Sequence, residues 1–81
     1  MTIIEHKIIN YILDYYSKTM FYPSYREISN SLERSISTIH EHMTNLEMIG
    51  IIVRKDEHSP QYRLINIDFI LKSRKEKVNG Q

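Results

Sequence analysis

A run of small polar and acidic side chains lies between residues 35 and 41. Hydroxyl groups donate and accept hydrogen bonds, and a glutamate accepts them from the N4 amino group of cytosine, so this set matches the base edges of the DNA major groove. The alternative is an ordinary solvated helix face. We predict base contacts by Ser35, Ser37, Thr38, His40 and Glu41.

The residue types that carry catalysis or bind metals form no comparable set. The chain has no cysteine, and His40 and His42 are two residues apart on a predicted helix, so they point to different sides. No Ser/His/Asp arrangement has a third group to orient it. We expect no enzymatic activity, no metal site and no cofactor, with His42 packed near the wing or the first helix.

The elements that position these residues begin with two predicted helices. In a capping box, a Ser or Thr and a Glu three residues later satisfy each other's backbone N–H groups. Thr2 with Glu5 and Ser24 with Glu27 have this spacing. They predict a first helix that runs to about residue 17 and a second that ends near residue 32.

The third helix carries the polar run on one side and an apolar stripe on the other. Ser35 is its predicted N-cap, and Gly50 follows its end as a residue that tolerates the left-handed conformation. Ile39, Met43 and Leu46 recur at helical spacing, so we expect them to face inward.

A β-hairpin is predicted after the helices. Residues 51–55 and 61–65 read as strands, and the polar stretch 56–60 between them reads as a turn. Three helices and a two-stranded hairpin predict a mainly α fold, the winged helix-turn-helix, over residues 1–67. Residues 68–81 form a basic C-terminal segment, expected to be a short helix or a tail.

Two sequence blocks stand in this order with characteristic spacing. The first is Tyr-Pro-Ser-x-Arg-Glu-Ile at residues 22–28, and the second is Ser-Thr-Ile-His-x-His-Met-x-x-Leu-Glu-x-x-Gly-Ile-Ile at residues 37–52. Together they resemble the N-terminal DNA-binding domain of LexA-type repressors, over about residues 8–65. The resemblance implies a transcriptional regulator that binds double-stranded DNA and reads bases with its third helix.

LexA-type repressors also carry a self-cleaving Ser-Lys protease domain, through which they dimerise. This sequence has no counterpart of that domain, so the resemblance implies neither autoproteolysis nor that route to a dimer. We still expect a homodimer, because specific regulators usually present two reading helices to two half-sites. The predicted interface consists of apolar residues in excess of one small core: Met48, Phe69, Ile70 and Leu71.

Contacts with the phosphate backbone are predicted from two further places. Tyr25 and Arg26 open the second helix, whose free backbone N–H groups suit an anion. Arg54, Lys55 and Arg63 belong to the wing. Packing of Tyr25 against the first helix, and a solvated wing without contact to DNA, remain the alternatives.

The charge of the chain gives only a weak attraction to nucleic acid. The formal net charge is +1, and residues 35–50 contain no lysine or arginine. This favours a rival function, in which the winged helix is a protein-interaction module that binds a host regulator or a polymerase component. The serine- and threonine-rich start of the third helix disfavours that rival.

The location of the protein follows from what its sequence lacks. We see neither a signal peptide nor an apolar run of the ~20 residues that would span a membrane. We therefore expect a cytoplasmic protein without a membrane contact, a regulator encoded by a phage or plasmid.

Overall fold

Three helices precede a two-stranded wing in the computed structural model, which describes residues 1–56 and 61–65. The wing strands are antiparallel, with Val53 opposite Arg63. This arrangement confirms the predicted mainly α winged helix-turn-helix. Most of the predicted turn and the whole of the segment 68–81 lie outside the described residues. The elements are α1 (Ile3–Thr19), α2 (Tyr25–Leu32), α3 (Ile36–Met48), β1 (Ile52–Arg54) and β2 (Tyr62–Leu64).

Both predicted capping boxes form. The Thr2 hydroxyl accepts from the Glu5 N–H and the Glu5 carboxylate accepts from the Thr2 N–H, each at 3.1 Å. The corresponding distances between Ser24 and Glu27 are 3.1 and 3.0 Å. Local side-chain chemistry therefore determines where α1 and α2 begin.

The predicted end of α1 was two residues too early. The helix continues to Thr19 and ends at Met20, which adopts a left-handed conformation with φ 64°. Glu33 ends α2 in the same way, with φ 56°. Such ends usually use glycine, so the sequence near Met20 gave no signal of where α1 stops.

The core lies where the three helices meet the inner side of the wing. Ile39, Met43 and Leu46 are fully buried, which confirms the predicted inward stripe of α3. Burial of such side chains stabilises a domain by about 1.5–3 kcal/mol each, although a chain this small has few of them. The other buried hydrophobic residues are Ile8, Ile9, Ile12, Ile28, Ile51, Ile52, Tyr62 and Leu64.

A carboxylate joins α1 to α3 at the edge of this small core. Glu5 is only 4 % exposed. Its Oε1 caps α1, while its Oε2 lies 2.7 Å from Nδ1 of His42 and 3.3 Å from Nδ2 of Asn45. Both partners belong to α3. The expected packing of His42 against the first helix is therefore confirmed, and its partner there is a charged group.

The partners of Glu5 decide its protonation state. Burial raises the pKa of the Glu5 carboxyl. Hydrogen bonds with His42, the Thr2 N–H and Asn45 together lower the pKa by more than burial raises it, so it lies below the ordinary value of 4.5. Glu5 is therefore ionised at neutral pH. An ionised carboxylate only accepts, so His42 donates through Nδ1.

This network predicts how stability depends on pH. The folded pKa of Glu5 is below its unfolded value, so its contribution is complete above about pH 4.5 and is lost as pH falls through the folded pKa. We expect Glu5→Gln to lower the free energy of unfolding at pH 7 by about 1–3 kcal/mol and to flatten its decline in acid. Urea unfolding between pH 3 and 7 measures both effects.

The matched control is Glu41→Gln, which changes an exposed glutamate of α3. This control should follow the wild-type pH profile closely. If Glu5→Gln and wild type lose stability in parallel below pH 4.5, the Glu5 network does not stabilise the fold.

Candidate nucleic-acid interface

The first turn of α3 is organised by the hydroxyl of Ser35. This hydroxyl accepts from the Thr38 N–H at 3.2 Å and donates to the Thr38 hydroxyl at 2.9 Å. The predicted N-cap is therefore confirmed. Ser35 is exposed, and its hydroxyl is engaged with both the backbone and the side chain of Thr38.

The polar side chains that follow share one face of α3. Residues three and four apart are neighbours on a helix, so Ser37, His40 and Glu41 lie together. All three are exposed, while Ile39 and Met43 between and beyond them are buried. The structure thus brings the predicted base-contacting residues together on the first two turns of α3, with Thr38 half-buried at the edge of this face.

An aromatic cluster connects this face to α2 and the wing. The ring of His40 meets the ring of Tyr25 nearly edge to face, with centroids 4.5 Å apart and an interplanar angle of 72°. Tyr25 also lies 5.8 Å from Tyr62, and Tyr62 lies 5.4 Å from Tyr22. We call Tyr22, Tyr25, His40 and Tyr62 the aromatic cluster. Its solvent-facing side lines a cleft of about 560 Å³.

Tyr62 anchors the cluster. Its hydroxyl donates to the backbone oxygen of Pro23 at 2.6 Å, which ties β2 to the segment before α2. Burial raises the pKa of the Tyr62 phenol, so it stays neutral and remains a donor. Burial also raises the pKa of Tyr25. Tyr25 was predicted to contact phosphate. In the structure its ring packs against His40 of α3 and Tyr62 of the wing, and the sequence did not indicate this packing.

The predicted phosphate-contacting cations fall into two groups. Arg26, Lys55 and Arg63 are exposed. Arg54 is half-buried and meets the carboxylate of Glu47 through two nitrogens, with Nη2 3.1 Å from Oε1 and Nε 3.3 Å from Oε2. This bidentate geometry makes a strong ion pair. The Glu47 carboxylate therefore offsets part of the charge of Arg54 at the junction of α3 and β1.

The end of α3 exposes apolar side chains. Met48 is 80 % and Ile49 is 56 % exposed, and together with Met1 they border a shallow groove. Met48 is thus accessible, as its predicted role in a dimer requires. The other predicted interface residues, Phe69, Ile70 and Leu71, lie outside the described residues.

The described residues contain neither a cluster of metal ligands nor a membrane-spanning helix. Within residues 1–56 and 61–65, no three His, Asp or Glu side chains are grouped so that they would hold a metal ion. In the same part of the chain, no helix combines the length and the apolar character needed to cross a membrane.

Two features of the structure were not predicted from the sequence, and they differ in how strongly the sequence indicates them. Glu5 is separated in sequence from His42 by 37 positions and from Asn45 by 40 positions, so spacing alone does not predict these contacts. The inward position of Tyr62 has a better signal, because strand residues alternate between faces and Leu64, two residues on, is also buried.

Comparison with known proteins adds two findings. A family model described as the LexA DNA binding domain matches residues 1–63. The LexA repressor of Ligilactobacillus salivarius (strain UCC118) is 39 % identical over 51 residues, which cover 62 % of this chain and 25 % of that protein. The match therefore spans about a quarter of the length of this curated relative.

Proposed function

The chain belongs to the LexA DNA-binding domain family, and from this premise we propose that it is a transcriptional regulator that binds double-stranded DNA sequence-specifically. One observation carries the proposal. The first two turns of α3 present an exposed polar face directly opposite a fully buried apolar stripe. In helix-turn-helix proteins such a helix enters the major groove with its N-terminal residues against base edges.

The chemistry of this face suits base readout. Ser37 can serve either a donor or an acceptor on a base, and Glu41 accepts from the N4 amino group of cytosine. His40 contributes an imidazole, which carries a donor and an acceptor when neutral. In this proposal Ser35 and Thr38 complete the contacts at the edge of the face.

Phosphate contacts would fix how α3 sits in the groove. Arg26 projects from the first turn of α2, where backbone N–H groups also favour an anion. Lys55 and Arg63 would approach the backbone from the wing. Arg54 contributes less in this arrangement, because Glu47 neutralises part of its charge.

The first test of this proposal concerns base preference. We expect Glu41→Ala to change the preference at one base pair by about 1–3 kcal/mol, with a smaller change in affinity for unrelated DNA. Selection of sites from random duplexes, followed by competition binding, measures both. Asp14→Ala is the matched control, because it removes one exposed carboxylate from α1. Equal effects of both variants would show that α3 does not read bases.

The second test concerns salt. Few exposed cations border α3, so the slope of log affinity against log salt should correspond to about two to four phosphates per protomer. Glu47→Gln should strengthen binding and steepen the slope by at most about one phosphate, since it removes the carboxylate that holds Arg54. Asp14→Asn makes the same charge change away from α3. If the two variants have the same slope, Arg54 lies outside the interface.

A second candidate function is protein binding, and one observation favours it. Met48 and Ile49 are exposed apolar neighbours at the end of α3. Clustered exposed apolar residues often mark an interface. Under the main proposal, a second copy of the chain covers this surface. Under the alternative function, a host regulator or a polymerase component covers it.

Sedimentation distinguishes a homodimer from a monomer that binds another protein. At tens of micromolar, the chain alone should have about twice its monomer mass of 9.7 kDa, because two protomers present two reading helices. The double variant Phe69→Ala, Leu71→Ala should restore the monomer. Phe21→Ala is the control, since Phe21 is exposed in the connection between α1 and α2. A monomer at every concentration, with and without DNA, would contradict the dimer and favour the rival.

A further inference from the structure

We propose that Tyr25 is a positioning residue that orients the His40 ring and thereby sets the base preference at one position of the DNA site. The inference rests on the proposed function, because it requires α3 to read bases. It assigns to Tyr25 a role in specificity, which is separate from any phosphate contact made by its hydroxyl.

The His40 ring has a defined neighbour. An exposed side chain on a helix surface normally samples several rotamers. The His40 ring instead meets Tyr25 at 4.5 Å with an angle of 72°, an arrangement that aromatic rings prefer. The contact restricts the imidazole while leaving the residue exposed.

Tyr25 is itself held in place. Its ring is half-buried and lies 5.8 Å from the ring of Tyr62. Tyr62 is buried, and its hydroxyl is bonded to the backbone of Pro23. The orientation of His40 is therefore supported through Tyr25 by the wing and by the segment before α2.

The orientation of the His40 ring affects which base it can contact. A neutral imidazole has one N–H donor and one bare nitrogen acceptor. Turning the ring over about the Cβ–Cγ bond puts a carbon atom where each nitrogen was, so the donor and the acceptor both move to other places in the groove. Guanine presents acceptors at N7 and O6, whereas cytosine presents a donor at N4, so a fixed ring favours one pattern. A ring free to turn would accept both patterns more equally.

The experiment compares Tyr25→Phe, which keeps the ring, with Tyr25→Leu, which keeps an apolar side chain without the ring. Competition binding measures discrimination at the base pair whose preference changes in His40→Ala. We expect Tyr25→Phe to retain discrimination within about twofold, and Tyr25→Leu to lose about five- to tenfold. Binding to unrelated DNA should fall no further in Tyr25→Leu than in Tyr25→Phe, because both variants lack the hydroxyl. In a His40→Ala background, Tyr25→Leu should cause no further loss, because the two residues act as a unit.

A purely structural role for Tyr25 gives a different pattern. Tyr25→Leu would then weaken binding to all sequences equally, with or without His40, and this outcome would overturn the inference. Unchanged discrimination in Tyr25→Leu would overturn it as well. A phosphate contact by the hydroxyl would lower affinity uniformly in Tyr25→Phe and would leave discrimination intact.

A measurement without DNA separates this inference from the proposed function. The carbon-bound ring protons of His40 should shift in the NMR spectrum of Tyr25→Leu and stay near their wild-type positions in Tyr25→Phe. If these protons do not move in Tyr25→Leu, the positioning contact is absent and only this inference fails. If they move but wild type prefers no DNA sequence, the proposed function fails and the role in base preference fails with it.

Discussion

A buried, ionised carboxylate at the edge of the small core links the start of α1 to α3 and constrains how the two helices pack. A buried charge is costly unless every oxygen has a partner, and Glu5 finds its partners at the start of α1 and on α3. The apolar stripe of α3 packs into the core, and the directional contacts of Glu5 with His42 and Asn45 add to that packing. Both kinds of contact set the direction of the polar face of α3 relative to α1.

The two histidines of α3 hold the helix from different sides. His42 is bonded to Glu5 of α1, whereas His40 packs against Tyr25 of α2 and through it against Tyr62 of the wing. Their separation of two residues is what directs them to different neighbours. Helix α3 is thus positioned by polar contacts on one side and aromatic contacts on the other.

The features that could be predicted from the sequence are local ones. Both capping boxes, the N-cap at Ser35 and the buried stripe of α3 depend on residues within a few positions of one another, and all were predicted correctly. The contact of Glu5 with α3 and the bond from Tyr62 to Pro23 depend on how distant segments pack. No spacing rule indicates them. The pairing of Arg54 with Glu47 joins residues only seven positions apart, and it was missed because it depends on the path of the turn between α3 and β1.

The ends of α1 and α2 show that this domain is not at its optimum of thermal stability. Met20 and Glu33 occupy the left-handed region, which costs residues with a Cβ about 1–2 kcal/mol relative to their preferred conformation. Gly50 occupies the same region after α3 without that cost. Natural selection tolerates such positions once a protein exceeds the stability that its function needs. Both turns are therefore natural starting points for engineering a more heat-resistant variant without touching the face of α3.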